Sequence, residues 1–224
     1  MTGLFITFEG GEGAGKSTQI ERLRGRLEAN GHPVLVTREP GGSPRAERIR
    51  AFILAGGAKS HGPFVETLLF AAARVDHLDE TIRPALAGGR IVLCDRFADS
   101  TRAYQGASSG LDPDVIDAIE RVTVGGTRPD LTFILDLPAE AGLARAKRRR
   151  ETRGDVADRF EAESLTFHET LREAFLAIAR REPDRCVLVD GSGPADAVAE
   201  TIWQSLEERF PRLADGLKDL RNAS

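Results

Sequence analysis

The sequence predicts an α/β fold: a parallel sheet covered by helices on both faces. Three observations carry that expectation. Most of five short apolar runs lack the polar alternation of a half-solvated sheet, as strands buried on both faces do. Helical patterns separate them. The first run also ends in a glycine-rich turn that opens directly into a helical pattern, "FITFEGGEGAGKSTQIERL" at residues 5–23. Alternating strands and helices give a doubly wound sheet, whose ligands bind beyond the carboxyl ends of the strands.

Taken in order, residues 4–8 form the first strand, and Ile20, Leu23 and Leu27 then recur at helical spacing. Residues 33–37 form the second strand. Ser43 followed by Pro44 reads as an N-cap with proline at the first helical position. A long helix runs over about 63–86. Residues 90–94, 131–137 and 185–189 form the remaining strands. Asp112 with Pro113 opens one further helix, and Pro194 opens the last, striped by Val198, Ile202 and Leu206. There is no internal repeat, low-complexity tract or linker, so one domain is expected over 1–224.

A chain of 224 residues, 41% hydrophobic and 29% charged, has the composition and length of a globular protein with a sizeable core. A net charge of −4 gives no global basic field for gripping nucleic acid. Cys94 and Cys186 lie in apolar runs without metal-ligand spacing, which predicts buried thiols in a reducing compartment. No signal peptide and no apolar run of spanning length is evident, so a cytoplasmic protein without membrane attachment is expected.

The spacing of Gly10, Gly15, Lys16 and Ser17 satisfies G-x-x-x-x-G-K-[ST] between a strand and a helix. Glycines let backbone N–H groups turn inward as an anion nest, and the helix adds unpaired N–H groups and its positive dipole end. Lys16 would reach the outer phosphates and Ser17 would ligate magnesium. A nucleoside triphosphate is therefore expected. In "RIVLCDRF", Asp95 closes a strand of the same sheet. It could hold magnesium directly or through water, or accept a proton, and Arg96 would stabilise a phosphoryl group in flight. The plainer reading of Asp95 and Arg96 is a surface ion pair of little energetic consequence.

Residues 144–160, "ARAKRRRETRGDVADRF", carry seven basic side chains. A solvated helix face, a nucleic-acid contact and a mobile lid all fit such a run. Gly154 beside Arg153 offers a bend and favours the lid. A GTPase switch would need an asparagine–lysine pair, yet neither Asn30 nor Asn222 precedes lysine. A small enzyme that passes the γ-phosphoryl group to a second molecule remains. The contrasting class is a non-catalytic ATP-dependent regulatory or nucleic-acid-binding module.

The segments "FEGGEGAGKSTQ", "TREPGG", "LLFAAARVDH", "DRFADSTRAYQG" and "RGDVADRFE" stand in the order and spacing of bacterial thymidylate kinases, and the chain resembles that family from about residue 3 to 206. The resemblance implies a P-loop kinase fold with a five-stranded parallel sheet, an arginine-rich lid at about 146–160, and homodimers. It implies transfer from Mg-ATP to dTMP, with a kinase for another nucleoside monophosphate as the near alternative. Gly10, Gly11, Glu12, Gly13, Ala14, Gly15, Lys16, Ser17 and Thr18 would surround ATP, with Ser17 on Mg²⁺ and the loop 190–194 bordering adenine. Arg96 would bridge the two phosphates, with Asp95 beside it. Arg50 would hold the dTMP phosphate, Phe70 would stack on thymine and Arg74 would donate to its O4. Thr101 and Gln105 would complete the base pocket, and Tyr104 would pack against the sugar. Some members carry an arginine inside the loop. None occurs here, so the lid would supply it, Arg153 first and Arg149 second. Glu12 would hold the 3′-hydroxyl of dTMP or act through magnesium. His32, His61, His77 and His168 are given no chemistry.

Overall fold

Five parallel strands, β1 (Leu4–Glu9), β2 (Val34–Arg38), β3 (Ile91–Asp95), β4 (Leu131–Asp136) and β5 (Cys186–Asp190), form one sheet in the order β2-β3-β1-β4-β5. The computed structural model describes residues 3–153, apart from the Arg153 side chain, and residues 159–213. Each strand ends on a charged residue: Glu9, Arg38, Asp95, Asp136 or Asp190. Four of the strands reach one residue beyond the apolar run that announces them. The apolar run marks the buried centre, whereas the backbone ladder continues to the carboxyl edge, where a charged side chain takes over from the apolar ones.

The helices are α1 (Lys16–Ala29), α2 (Pro44–Leu54), α3 (Gly62–His77), α4 (Arg83–Ala87), α5 (Ala98–Thr101), α6 (Pro113–Val124), α7 (Ala139–Arg153), α8 (Leu165–Arg181) and α9 (Ala195–Arg209). They pack on both faces of the sheet. In β1, Ile6 and Phe8 join Leu93, Phe133 and Leu135 against Ile20, Leu23 and Leu27 of α1 and Ile202, Trp203 and Leu206 of α9. Phe5 faces the other way, with Val92 and Cys94, onto Leu78, Ile82 and Phe97. Both directions of the pleat are buried, which is why the strands show no alternation. No helix among the described residues is long and apolar enough to cross a membrane.

Three local expectations needed adjustment. The long helix is real, but α3 and α4 are joined by a π-helical stretch, Leu78–Ile82. Pro84 lacks the N–H that the preceding turn would bond, so the ladder shifts there. Ser43 precedes α2 but makes no side-chain cap. Its hydroxyl donates to Asp76 at 2.6 Å, and Asp76 accepts the Ala46 N–H at 3.2 Å, so a carboxylate from α3 caps the neighbouring helix. Pro194 is the N-cap of α9 rather than its first residue. Asp112 caps α6 as expected, accepting from the Asp114 N–H at 2.9 Å. Helix α8 has no counterpart among the elements expected from the sequence.

Candidate active site

The loop from Gly10 to Gly15 leaves β1 and turns into α1. Gly13 has φ +66°, and a Cβ there would lie 2.0 Å from the Gly142 carbonyl oxygen. The loop thus needs glycine both for conformation and for close approach to α7. Lys16, in the first turn of α1, donates to the carbonyls of Gly10 at 3.0 Å and Gly11 at 2.9 Å. Burial and the nearby Arg96 charge lower its pKa, opposed by Asp95, Glu12 and Glu9. Ser17 Oγ donates to Asp95 Oδ2 at 2.9 Å, so the end of β3 meets the start of α1.

Arg96 follows β3 with φ +71°, unusual for a residue with a side chain. Its Nη1 donates to the Gly10 carbonyl at 3.1 Å and to Ser100 Oγ at 3.2 Å, and its Nη2 to Glu12 Oε1 at 2.7 Å. Tyr104 donates to the same Glu12 oxygen at 2.9 Å, and the Arg96 guanidinium lies 5.1 Å over the Tyr104 ring. Burial alone would raise the Glu12 carboxyl, but Arg96, Lys16 and the Tyr104 hydrogen bond bring it down to about 2. Beneath this cluster, Glu9 is fully buried. Its Oε1 accepts the backbone N–H of Phe97 at 2.7 Å and of Ser100 at 3.3 Å, while Oε2 accepts the Ser100 hydroxyl at 2.6 Å. Burial and repulsion from Asp99 push Glu9 up to about 7. Glu9 thus holds the backbone that follows Arg96, at the start of α5.

A cavity of about 640 Å³ runs from Ser17 past Arg96 to Arg74 and Gln105. At its far end Arg74 is 4% exposed and already bound. Its Nε donates to Glu39 at 2.8 Å, and its Nη2 to the Phe97 carbonyl and to Thr101 Oγ1, both at 3.1 Å. Glu39 also meets His77 Nδ1 at 3.2 Å, and His77 Nε2 meets Thr37 Oγ1 at 2.7 Å. Gln105 donates to the buried Glu66 at 2.9 Å. Phe70 lines the cavity with Phe160, their ring centres 6.4 Å apart. Arg50 reaches the cavity while donating to the Pro40 carbonyl at 2.8 Å.

A second cavity of about 320 Å³ adjoins the glycine loop, between Arg145, Arg149 and the turn carrying Gly191 and Gly193. Arg145 donates to the carbonyls of Gly191 at 2.9 Å and Ser192 at 3.2 Å. Arg149 and Arg150 of α7 line the larger cavity and pair with Glu161. The Arg153 side chain and residues 154–158 lie outside the described residues. Every other residue expected at the site lies along these two cavities or in the glycine loop. Sequence reasoning passed over Glu9, Glu39, Glu66, Arg145 and Phe160. Glu9 and Glu39 left a signal, an acidic residue beside a glycine turn at a strand end. Arg145 stands one helical turn before Arg149. Glu66 gave none.

A strand–glycine-loop–helix cradle at one end of a cavity, a strand-end aspartate and arginine at its middle and a donor-rich pocket at the other end define a P-loop nucleotide kinase. The comparisons with known proteins agree. The family model "Thymidylate kinase" matches residues 8–202. The chain is 58% identical over 208 residues to a thymidylate kinase of Bradyrhizobium diazoefficiens, covering 93% of this chain and 90% of that one. It is equally identical to a thymidylate kinase of Caulobacter vibrioides, covering 93% and 98%. The crystal structure of thymidylate kinase from Ehrlichia chaffeensis superposes with a TM-score of 0.72 at 31% identity, covering 92% of this chain and all of the other. The chain belongs to the thymidylate kinase family.

Proposed function

We propose that the protein transfers the γ-phosphoryl group of ATP to dTMP, giving ADP and dTDP. The observation that carries this is a single cavity with a phosphate cradle at Lys16, a tethered guanidinium at Arg96 and a donor-only guanidinium at Arg74. Residues 10–18 hold the ATP phosphates. Arg50 holds the dTMP phosphate, Phe70 stacks on the base, Arg74 donates to O4, and Thr101 and Gln105 complete the pocket. Tyr104 packs on the sugar. Glu12, shared by Tyr104 and Arg96, stands on the acceptor side, which favours a hydrogen bond to the 3′-hydroxyl over a role through metal.

An oxygen of the dTMP phosphate attacks the γ-phosphorus, and the bond to the β-phosphate oxygen breaks as ADP leaves. The attacking oxygen is already anionic, so no strong general base is needed. Catalysis is positioning and charge stabilisation by Lys16, Arg96 and a lid arginine, either Arg149, which lines the cavity, or Arg153. Ser17 and Asp95 fit Mg²⁺, since two hard oxygens stand side by side at the cradle and a cation held by phosphates and water needs few protein ligands. Ser17 would ligate it directly, with Asp95 bound directly or through water. Bound there, the ion would neutralise charge on the donor phosphates.

A single catalytic domain and a homodimer complete the reading. Phe64, Leu68 and Val75 form an exposed apolar stripe along α3, with Phe52 exposed on the neighbouring α2, and this face supports pairing of two copies. The buried thiols of Cys94 and Cys186 and the nucleotide substrates support a cytoplasmic location. Burial holds both thiols above their usual range, Cys186 at about 12.

Steady-state ADP release on adding dTMP to protein, ATP and Mg²⁺ is the test. ADP release with AMP or dCMP but not dTMP would mean a kinase for another nucleotide. ATP binding without acceptor-dependent ADP release would mean a regulatory module.

A further inference from the structure

Gln105 is 2% exposed and lines the base end of the main cavity. A glutamine amide offers a donor and an acceptor, and a base reader must commit to one of them. Its Nε2 donates to Glu66 Oε1 at 2.9 Å. Glu66 sits on α3, 4% exposed, and does not line the cavity. An ionised carboxylate only accepts, so it draws the NH₂ end and leaves the carbonyl oxygen as the amide's contribution to the pocket. The second Glu66 oxygen pairs with Arg159, which returns from the lid segment. Both Glu66 oxygens thus face donors.

We infer that Glu66 is a positioning residue for base selection: it fixes the Gln105 amide so that the pocket presents a carbonyl acceptor beside the Arg74 donor. This rests on the dTMP reading above. Thymine and uracil offer the complement, an N3–H donor beside an O4 acceptor. Cytosine reverses both, with an unprotonated N3 beside an amino group. Two fixed polarities therefore reject cytosine together, one intrinsic to Arg74, which Glu39 holds in place, and one set by Glu66 through Gln105.

Substitution Glu66→Gln is nearly isosteric but both donates and accepts, so it releases the Gln105 amide to turn over. The measurement is the ratio of kcat/KM for dTMP to that for dCMP, with ATP and Mg²⁺. The ratio should fall at least tenfold, by loss on dTMP, gain on dCMP or both. Glu66→Asp keeps an acceptor-only group and should hold the ratio within about threefold. Equal losses on both nucleotides in Glu66→Gln, leaving the ratio within twofold of wild type, would make Glu66 a packing residue and overturn the inference. So would a fall as large in Glu66→Asp as in Glu66→Gln. A wild-type enzyme that does not prefer dTMP would instead overturn the functional reading itself. If Glu66→Gln leaves Arg159 too poorly compensated to fold, the double variant Glu66→Gln/Arg159→Gln removes that charge, and the same ratio decides.

Discussion

The two ends of the cavity are built on different principles. At the end proposed for ATP, the nine consecutive residues 10–18 form the cradle, and much of its surface is backbone. At the end proposed for the acceptor, the groups come from α2, α3, α5 and the π-helical stretch Arg102–Ala107 after it, and the key side chains are held by partners far away in sequence. Arg74 is bound by Glu39, 35 residues earlier, and by Thr101, 27 later. Gln105 is bound by Glu66, 39 residues earlier. Phosphate is the same in every nucleotide, so a generic nest suffices for it. A base is distinguished by the direction of its hydrogen bonds, and fixing direction takes a second layer of side chains.

If that division is right, damage at one end should leave the other intact. The largest effect is expected from Lys16→Ala, which should abolish measurable turnover while calorimetric dTMP affinity changes by less than tenfold, about 1.4 kcal/mol. A larger loss would move Lys16 to the acceptor. Next, dCMP should be poorer than dTMP by roughly 10⁴-fold in kcat/KM, because Arg74 would be left facing an amino group. AMP or dCMP outrunning dUMP would break the Arg74 assignment. Removal of the dominant lid arginine should lower kcat on the order of 10³-fold with little change in dTMP affinity. Parallel kinetics of Arg149→Ala and Arg153→Ala identify which one it is. The thymine methyl contributes only burial, so dUMP should lose roughly 10- to 200-fold.

The smallest effect lies beneath the boundary between the two ends. Glu9 has a folded pKa near 7, above the usual carboxylate value. Between about pH 4.5 and 7 the folded state holds the extra proton, so this residue makes stability fall as pH rises through that window. Glu12, at about 2, acts in the opposite sense, and its contribution is lost as pH falls below about 4. Glu9→Gln should therefore flatten the decline between pH 4.5 and 7, by on the order of 1–3 kcal/mol. Thermal melts across that range measure it, and an unchanged slope would show that Glu9 does not titrate there.

The same division explains what the sequence made legible. The five strands and the glycine loop follow from apolar runs and fixed spacing, which are local. The glycine loop was readable from local spacing alone, because Gly10, Lys16 and Ser17 are neighbours in the chain. The residues proposed for the acceptor, Arg50, Phe70, Arg74 and Gln105, came only through likeness to a family. Nothing in the spacing of Arg74 and Phe97 says that a guanidinium will meet that carbonyl. Glu66 was passed over because a single glutamate looks like any surface carboxylate until its burial is known, whereas Glu39 left only the fainter signal of an acidic residue at a strand end beside a glycine turn. Helix α8 was overlooked beside the basic run, although Leu171, Phe175 and Ile178 mark its buried face.

The cage around Arg74 also has a calorimetric consequence. A long cationic side chain normally surrenders rotamer freedom when a ligand immobilises it, on the order of 0.5–1.5 kcal/mol per side chain. Here the Nε and one terminal nitrogen are bonded within the protein, so that ordering occurs during folding. The nucleotide should meet a nearly rigid reader, and the entropy of dTMP association should carry little penalty from this residue. Loosening the cage with Glu39→Ala, while Arg74 itself stays in the chain, should move that penalty from folding to association.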